Sequence, residues 1–451
     1  MSRNVVPMMP KASAKSAIPS MSDLAFAVQS SGLVEKIGFT ILCIAIYRLG
    51  VQIPLWGIDP ASMQGFLKGG LGSFLDLFSG GALGRLSVLA LGIGPYITAS
   101  IMLQLLTVAI PRLEEMQKEE GEAGRKKIAQ YTRYVTVALA VFQATLIVRL
   151  VAQPINLLPG VEMTWFWVSG VISLVAGSLF ALWLAEMMTE RGIGNGGSLL
   201  ILVGILASLP VYVEQTATLI SGDPSRAIGL VALLAVFVVL IGLIIILQEA
   251  SRNVYVVSAK RQVGQKMFGG QGTHIPFKIN PAGVMPIIFA FAVMAFPDTI
   301  FRFAHPQPDT FLYTVQTLYN QYFGYKGMLY GCMMFVLVIF FTFFYASIIP
   351  SMNPREIADN LKKQGAAIPG IKPGRPTAEK LDEILTRIVW IGAISIASIT
   401  LLTSYAPAVF RIPTLAGIGT TSLIILVGVA LDTINQIRVH LLARQYQGFL
   451  K

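Results

Sequence analysis

Three histidines, His274, His305 and His440, and two cysteines, Cys43 and Cys332, are the chain's soft metal ligands, and they stand far apart. No H-E-x-x-H and no C-x-x-C occurs, so neither a metal centre nor any other cofactor is expected. Residues 192–197, Gly-Ile-Gly-Asn-Gly-Gly, satisfy G-x-G-x-x-G. That pattern cradles a pyrophosphate when it follows a strand and opens a helix. Here it follows one apolar run and precedes another, which makes a tight turn beside Glu190 and Arg191 the better reading. There is no G-x-x-x-x-G-K-[ST], so the chain holds no P-loop of its own. Without a nucleophile elbow, a paired base or an aspartate pair, no catalytic residues are expected, and the chain does not read as an enzyme.

The remaining chemistry lies in charges set within apolar surroundings. The chain is 54% hydrophobic and only 13% charged, with a mean hydropathy of +0.68, the composition of a polytopic membrane protein. A charge at membrane depth costs several kcal/mol unless it is paired or watered, so Arg48, Arg85 and Asp432 each need an account. Arg48 stands roughly 18 Å of helix beyond Lys36, near enough to the far interface to snorkel. Asp432 lies with Asn435, Gln436 and Arg438 near the end of the last apolar run, where local capping and pairing are expected. The two cysteines are about 290 residues apart within apolar stretches and read as buried small hydrophobes.

These residues must be positioned by membrane helices. Apolar runs of about 20 residues give ten spans, centred near 45, 100, 142, 175, 204, 238, 292, 339, 395 and 427. The N-terminal residues hold no continuous apolar stretch, so a cleaved signal peptide is not expected. The second span carries a break. Residues 79–92 are rich in Gly and Ala and contain Arg85, and Gly94-Pro95 follows, with Pro95 suited to a first helical turn. The pattern predicts a half-helix over 79–92 leading into a second piece over 94–107. Irregular backbone at this depth survives only against protein or water and so implies an interior cavity; a proline kink in an ordinary span is the alternative.

The formal charge is +11. About 26 of the 34 Lys and Arg fall in the tail to Lys36, residues 111–133, Arg191, residues 249–280, residues 351–387 and the C-terminal tail. Positive charge marks the cytoplasmic side, which puts both termini there. Residues 111–133 alternate acids and bases and read as a solvated link. Residues 254–257 and 274–279 are β-prone and flank a Gly-rich turn at 269–272, a hairpin pattern. Residues 351–387 combine a short helix over about 354–363 with a Pro/Gly turn and seven basic residues. Loops of this size exist to be touched, by an acidic or RNA-containing partner, unless they are a solvated basic surface. The opposite loops, such as 154–164 and 305–325, are plain.

Seven segments, FSGGAL (78–83), ALGIGPYITASI (90–101), EEGEAGRKKIAQYTRY (119–134), MTERGIGNG (188–196), AGVMPIIFA (282–290), NPREIADNLKKQGAAIPGIKPG (353–374) and GTTSLIILVGVALD (419–432), resemble the SecY family of protein-translocase pore subunits. They cover nearly the whole chain in order. The resemblance implies an all-α polytopic membrane protein of ten transmembrane helices in two inverted-repeat halves around an hourglass pore, residues 37–225 and 226–440, between cytoplasmic tails 1–36 and 441–451. It implies a pore ring of Ile93, Ile97, Ile201, Ile288 and Ile425, with a further position at Gly197 where many members are bulkier. It makes 79–92 a plug, with Gly80, Gly81, Ala82, Leu83 and Arg85. Thr98, Gln104 and Phe296 fall at lateral-gate positions, where Thr98 reads equally well as a packing residue.

The implied function is a conduit that passes unfolded secretory polypeptides across the cytoplasmic (inner) membrane and releases apolar segments sideways into the lipid bilayer. A dry collar of branched side chains denies ions and water a foothold. The implied partners are SecE and SecG in the membrane, and the SecA ATPase or a ribosome outside it, with signal sequences and unfolded chains as cargo. Lys260, Arg261, Lys266, Arg355 and Lys372 are the implied contacts, Lys372 standing where the family commonly has Arg. A secondary transporter with broken helices is the alternative from another class. It requires polar ligands at the midplane, where the candidate positions here are Ile, Gly and Thr.

Overall fold

A computed structural model of the chain describes residues 32–58, 80–118, 121–151, 158, 160–258, 261–263, 266–268, 272–304, 310–323, 329–349, 352–415 and 422–448. In chain order its helices and strands are α1 (Leu33–Val51), α2 (Gly94–Ala109), α3 (Pro111–Lys118), α4 (Gly121–Val151), α5 (Met163–Arg191), α6 (Gly196–Gly222), α7 (Arg226–Glu249), β1 (Ser251–Ser258), β2 (Arg261–Val263), β3 (Lys266–Phe268), β4 (Gly272–Lys278), α8 (Met285–Ala304), α9 (Phe311–Tyr322), α10 (Tyr330–Ile348), α11 (Pro354–Lys363), β5 (Ala366–Ala367), α12 (Arg375–Val409) and α13 (Leu423–Gly448).

Each of the ten expected centres falls within a helix. Seven helices, α4, α5, α6, α7, α10, α12 and α13, are long and apolar enough to cross a bilayer. The other three positions hold α2 and residues 285–294 of α8, which are shorter apolar helices, and α1, whose 19 residues include Glu35 and Lys36 near its start and Arg48 near its end. Glu35 in the first turn and Arg48 in the last each oppose the partial charge of the helix end they occupy.

The packing repeats itself. In the first half α1 packs on α5 and α6, α2 on α4, and α4 on α5; in the second α7 packs on α12 and α13, α8 on α10, and α10 on α12. Counted by span, these four pairings of the first five recur in the next five, whereas the packing of α5 on α6 is not matched by α12 and α13. An odd number of spans per half makes the second copy run opposite to the first, as in an inverted repeat. The halves meet where α6 packs on α13 and on α7. At the α6–α7 crossing the Asp223 carboxylate accepts from the Ser225 hydroxyl at 2.7 Å and from Arg226 Nε at 3.1 Å. Those two bonds, Ser225 first, hold its pKa below the usual carboxylate range.

The loop between α7 and α8 forms the expected hairpin, with β1 antiparallel to β4 and Val254 opposite Ile275. β5 adds to the other side of β1, pairing Val257 with Ala367, so the sheet order is β4-β1-β5. The helix expected near 354–363 is α11, capped by Asn353, whose Oδ1 accepts from the Arg355 N–H at 3.1 Å. Val254, Val256 and Phe277 of the sheet pack with Leu361 of α11 and with Leu381 and Leu385 of α12. The loops on this face therefore form one small folded layer.

Four expectations change. Residues 111–133 are helical where described: α3, then the first turns of α4, where Arg133 Nε donates to Glu186 Oε1 of α5 at 2.8 Å. Within 305–325, α9 forms, and Tyr319 donates to the Met294 carbonyl at 3.0 Å. Cys43 is buried as expected, whereas Cys332 is exposed on α10. The half-helix over 79–92 is the fourth and belongs to the site.

Candidate functional site

α2 starts at the expected break, with Ile93 as its N-cap residue and a proline in its first turn. Ile93 and Ile97 are four residues apart and share a helix face. Ile201 lies early in α6, Ile288 in the first turn of α8 and Ile425 in the first turn of α13. All five line one cavity of about 920 Å³. Ile93, Ile201, Ile288 and Ile425 are buried in one apolar cluster, and half-buried Ile97 packs against it. Two helices of each half thus converge on a single greasy floor.

Gly197 lines the same cavity, and the place its side chain would take lies 3.3 Å from Ile93 Cδ1. Ile93 Cδ1 therefore occupies the space beside Gly197. The 192–197 stretch is the tight turn expected between α5 and α6, held from three elements. Thr40 Oγ1 of α1 accepts from Ile193 N at 3.1 Å, Gln436 Oε1 of α13 from Gly194 N at 3.0 Å, and Thr189 Oγ1 of α5 from Gly196 N at 2.9 Å. The Asn195 side chain caps α6 by accepting from Ser198 N at 3.2 Å. This network fixes the height of Ile201 against Ile93.

Residues 80–93 run in successive turns and form no α-helix, in contrast to the half-helix expected. Gly80, Gly81 and Gly92 have positive φ, and Leu86 is held at φ 42, so a continuous right-handed helix is ruled out. The turns are tied to the chain just after α1: Leu55 N donates to Leu86 O at 2.8 Å and Val88 N to Ile53 O at 3.0 Å. Ser178 of α5 donates to Gly92 O at 3.1 Å. Ala82 and Leu89 join the apolar cluster of the isoleucines, whereas Leu83, Leu86, Ala90 and Leu91 pack with Val148, Phe166 and Leu174. The segment thus packs between the isoleucine cluster and α4 and α5.

Arg48 does not snorkel. Its Nη1 donates to the Gly80 carbonyl at 2.8 Å, and Gly80 has no room for a side chain, since one would meet Gly204 Cα at 2.8 Å. Arg85 is bonded by its Nη1 to Gln52 Oε1. Both arginines thus meet neutral oxygens, one at the start of the folded segment and one from its middle. At the other end of the chain the expected local pairing gives way to cross-helix bonds: Asn435 Nδ2 donates to Glu249 Oε1 of α7 at 3.0 Å, and Gln436 holds Gly194. Sequence reading missed these partners because they lie 186 and 242 residues away.

Thr98 donates to the Gly94 carbonyl of its own helix at 3.1 Å, and Gln104 lines the cavity. Phe296 falls in α8, with its side chain outside the described residues. Of the basic candidates, Arg261 and Lys266 are on the paired strands β2 and β3, Arg355 is in the first turn of α11, and the Lys372 carbonyl accepts from Thr377 Oγ1 at 2.9 Å. Lys260 lies outside the described residues.

The family model for SecY matches residues 87–434. The protein translocase subunit SecY of Synechococcus elongatus is 42% identical over 432 residues, which cover 94% of this chain and 95% of the relative; that of Aquifex aeolicus is 40% identical over 429 residues, covering 93% and 97%. The fold is similar to that of a solved protein-conducting channel, with a TM-score of 0.63 at 16% identity over 90% of this chain and 92% of that one. It is also similar to Sec61 in the canine ribosome-channel complex from the endoplasmic reticulum, with a TM-score of 0.58 at 14% identity over the same shares. With about 40% identity sustained along nearly its full length and the fold to match, the chain belongs to the SecY family.

Proposed function

We propose that the chain is a protein-conducting channel in which Ile93, Ile97, Ile201, Ile288 and Ile425 form the constriction and residues 80–93 form part of its stopper. The observation that carries this is the convergence of five isoleucines from four helices, two from each half, on one cavity. Branched apolar side chains offer a passing polypeptide no polar foothold, and a dry collar raises the barrier to ions. The basic loops face the cytoplasm, on the positive-inside argument, and the membrane is the cytoplasmic one. An apolar stretch of about 20 residues leaves sideways into lipid past Thr98, Gln104 and Phe296, because a helix of that length is favourable there and a polar one is not. The channel is a conduit; the work comes from a partner.

Energy is supplied by SecA or a translating ribosome seated on the 249–280 and 351–387 loops, with SecE and SecG alongside in the membrane. Channels of the same fold bound to a ribosome support a ribosomal partner. Reversing charge at Lys260 and Arg261 is expected to weaken binding of the cytosolic motor roughly tenfold at low salt, with the difference vanishing as salt rises. Equal affinity at low ionic strength removes this loop from the contact.

The conduit is tested by trapping a chain in transit. With a cysteine placed at Ile288 or Ile425 in turn, a substrate arrested by a folded C-terminal domain and bearing a cysteine at the matching depth is expected to form a disulfide with either position. A cysteine on the exposed face of α7, such as Val238→Cys, is expected to stay unlinked. Linking at Val238 but not at the isoleucines overturns the assignment.

A further inference from the structure

Above the isoleucine floor the cavity wall turns polar, and three of its carboxamides are unusual. Gln104 of α2, Gln248 of α7 and Asn280, which precedes α8, all line the cavity. Gln104 Oε1, Gln248 Nε2 and Asn280 Oδ1 are buried atoms with no hydrogen-bond partner among the described residues. Gln248 is 9% exposed and Asn280 is 3% exposed, so bulk solvent does not reach them freely. Of the charged side chains that also line the cavity, Glu249 accepts from Asn435, while Asp432 and Lys278 stand on the same wall. A buried polar group without a partner costs about 1–3 kcal/mol, so three around one space call for a ligand that supplies what they lack.

What they lack is one acceptor and two donors. An extended peptide offers both, since every residue other than proline carries one N–H and one C=O whatever its side chain. The placement also fits. Gln104 is roughly 16 Å of helix from Ile93, and Asn280 is eight residues before Ile288. The Gln248 carboxamide lies against Gly428 of α13, where an added methyl would come within 2.8 Å of Nε2. Gly428 sits between Ile425 and the cavity-lining Val429, so this side chain reaches the wall that carries the ring.

We propose that Gln104, Gln248 and Asn280 form a hydrogen-bonding station for the backbone of the incoming polypeptide, with Gln104 and Asn280 accepting from its N–H groups and Gln248 donating to a carbonyl. The station pairs peptide groups that must shed water just before a collar that offers them nothing. Because it reads only backbone, it discriminates among neither sequences nor charges. It rests on the conduit reading and adds a residue-level role to the mouth of the same channel.

The test uses the full chain, reconstituted with its membrane partners and motor. Two substrates are arrested by a folded C-terminal domain, one with an ordinary backbone and one with a run of N-methylated residues held in the mouth. The readout is the half-life of the arrested chain after the motor is withdrawn. Gln104→Met is expected to shorten the half-life of the ordinary chain about threefold to tenfold, the weight of one hydrogen bond, and to leave the N-methylated chain unchanged. Gln248→Met, which removes a donor to carbonyls, is expected to shorten both. If Gln104→Met has no effect, or shortens both chains equally as loss of a water-holding group does, the station is overturned while the conduit stands. If neither chain is retained by the wild-type protein, the conduit reading falls and takes the station with it.

Discussion

Deleting residues 83–88 is expected to leave the helices folded and to make reconstituted vesicles leak ions. The excised stretch holds Leu83 and Leu86, 6% and 1% exposed, and both partners of the link to the chain after α1, the Leu86 carbonyl and the Val88 amide. Burying each leucine is worth about 1.5–3 kcal/mol, so the closed arrangement loses at least about 3 kcal/mol, more than a hundredfold in the closed-to-open ratio. None of the ten span-position helices includes these residues, which is why the fold survives. Conductance of single channels in planar bilayers reads the outcome directly. A deletion variant as tight as wild type would mean that the isoleucines alone make the seal. Arg48→Met, which releases the Gly80 carbonyl but keeps Leu83 and Leu86, is expected to leak less than the deletion.

Gly196→Ala is expected to be among the most destabilising single substitutions near the pore. A methyl group there would lie 2.0 Å from the Ala185 carbonyl oxygen and 2.8 Å from its carbon. The obstacle is backbone, so no rotamer change relieves it, and α5 and α6 must part. Overpacking of this kind costs about 1–3 kcal/mol, and more where the chain cannot yield. The move also carries away the Thr189–Gly196 bond and the Asn195 cap, and with them the height of Ile201. With exposed Cys332 replaced by serine, buried Cys43 supplies the measurement, because its thiol becomes reactive only when the bundle opens. Gly197→Ala is the control: its methyl would meet Ile93 Cδ1 and Asn195 Oδ1 at 3.3 Å, both side-chain ends that give way. Equal thiol reactivity on heating the two variants would overturn the argument.

Much of the fold was legible because the bilayer imposes a length. Runs of about 20 apolar residues mark helices at all ten positions, even in α1, where Glu35, Lys36 and Arg48 dilute the signal. The hairpin and α11 were legible because β-branched alternation and an Asn-Pro cap are local signals. The isoleucines were not: no pattern within α2, α6, α8 or α13 marks them from other apolar residues, and their joint placement came from family resemblance. Residues 80–93 misread because the run is apolar enough to pass for part of a span, while its glycines disfavour helix and the positive φ values there fit tertiary contacts such as the approach of Gly80 to Gly204. The Arg48–Gly80 bond joins groups 32 residues apart and leaves no local trace.

β5 is only two residues long, yet it stitches the turn after α11 to the hairpin through Val257–Ala367 and Ser258–Ala366. Load placed on either loop is therefore shared by both, and passes into α7 and α8 at the roots of the hairpin and into α12 beyond the turn. All three belong to the second half of the bundle. The sheet is thus a handle on the second half: a pull on either loop reaches the helices of that half first.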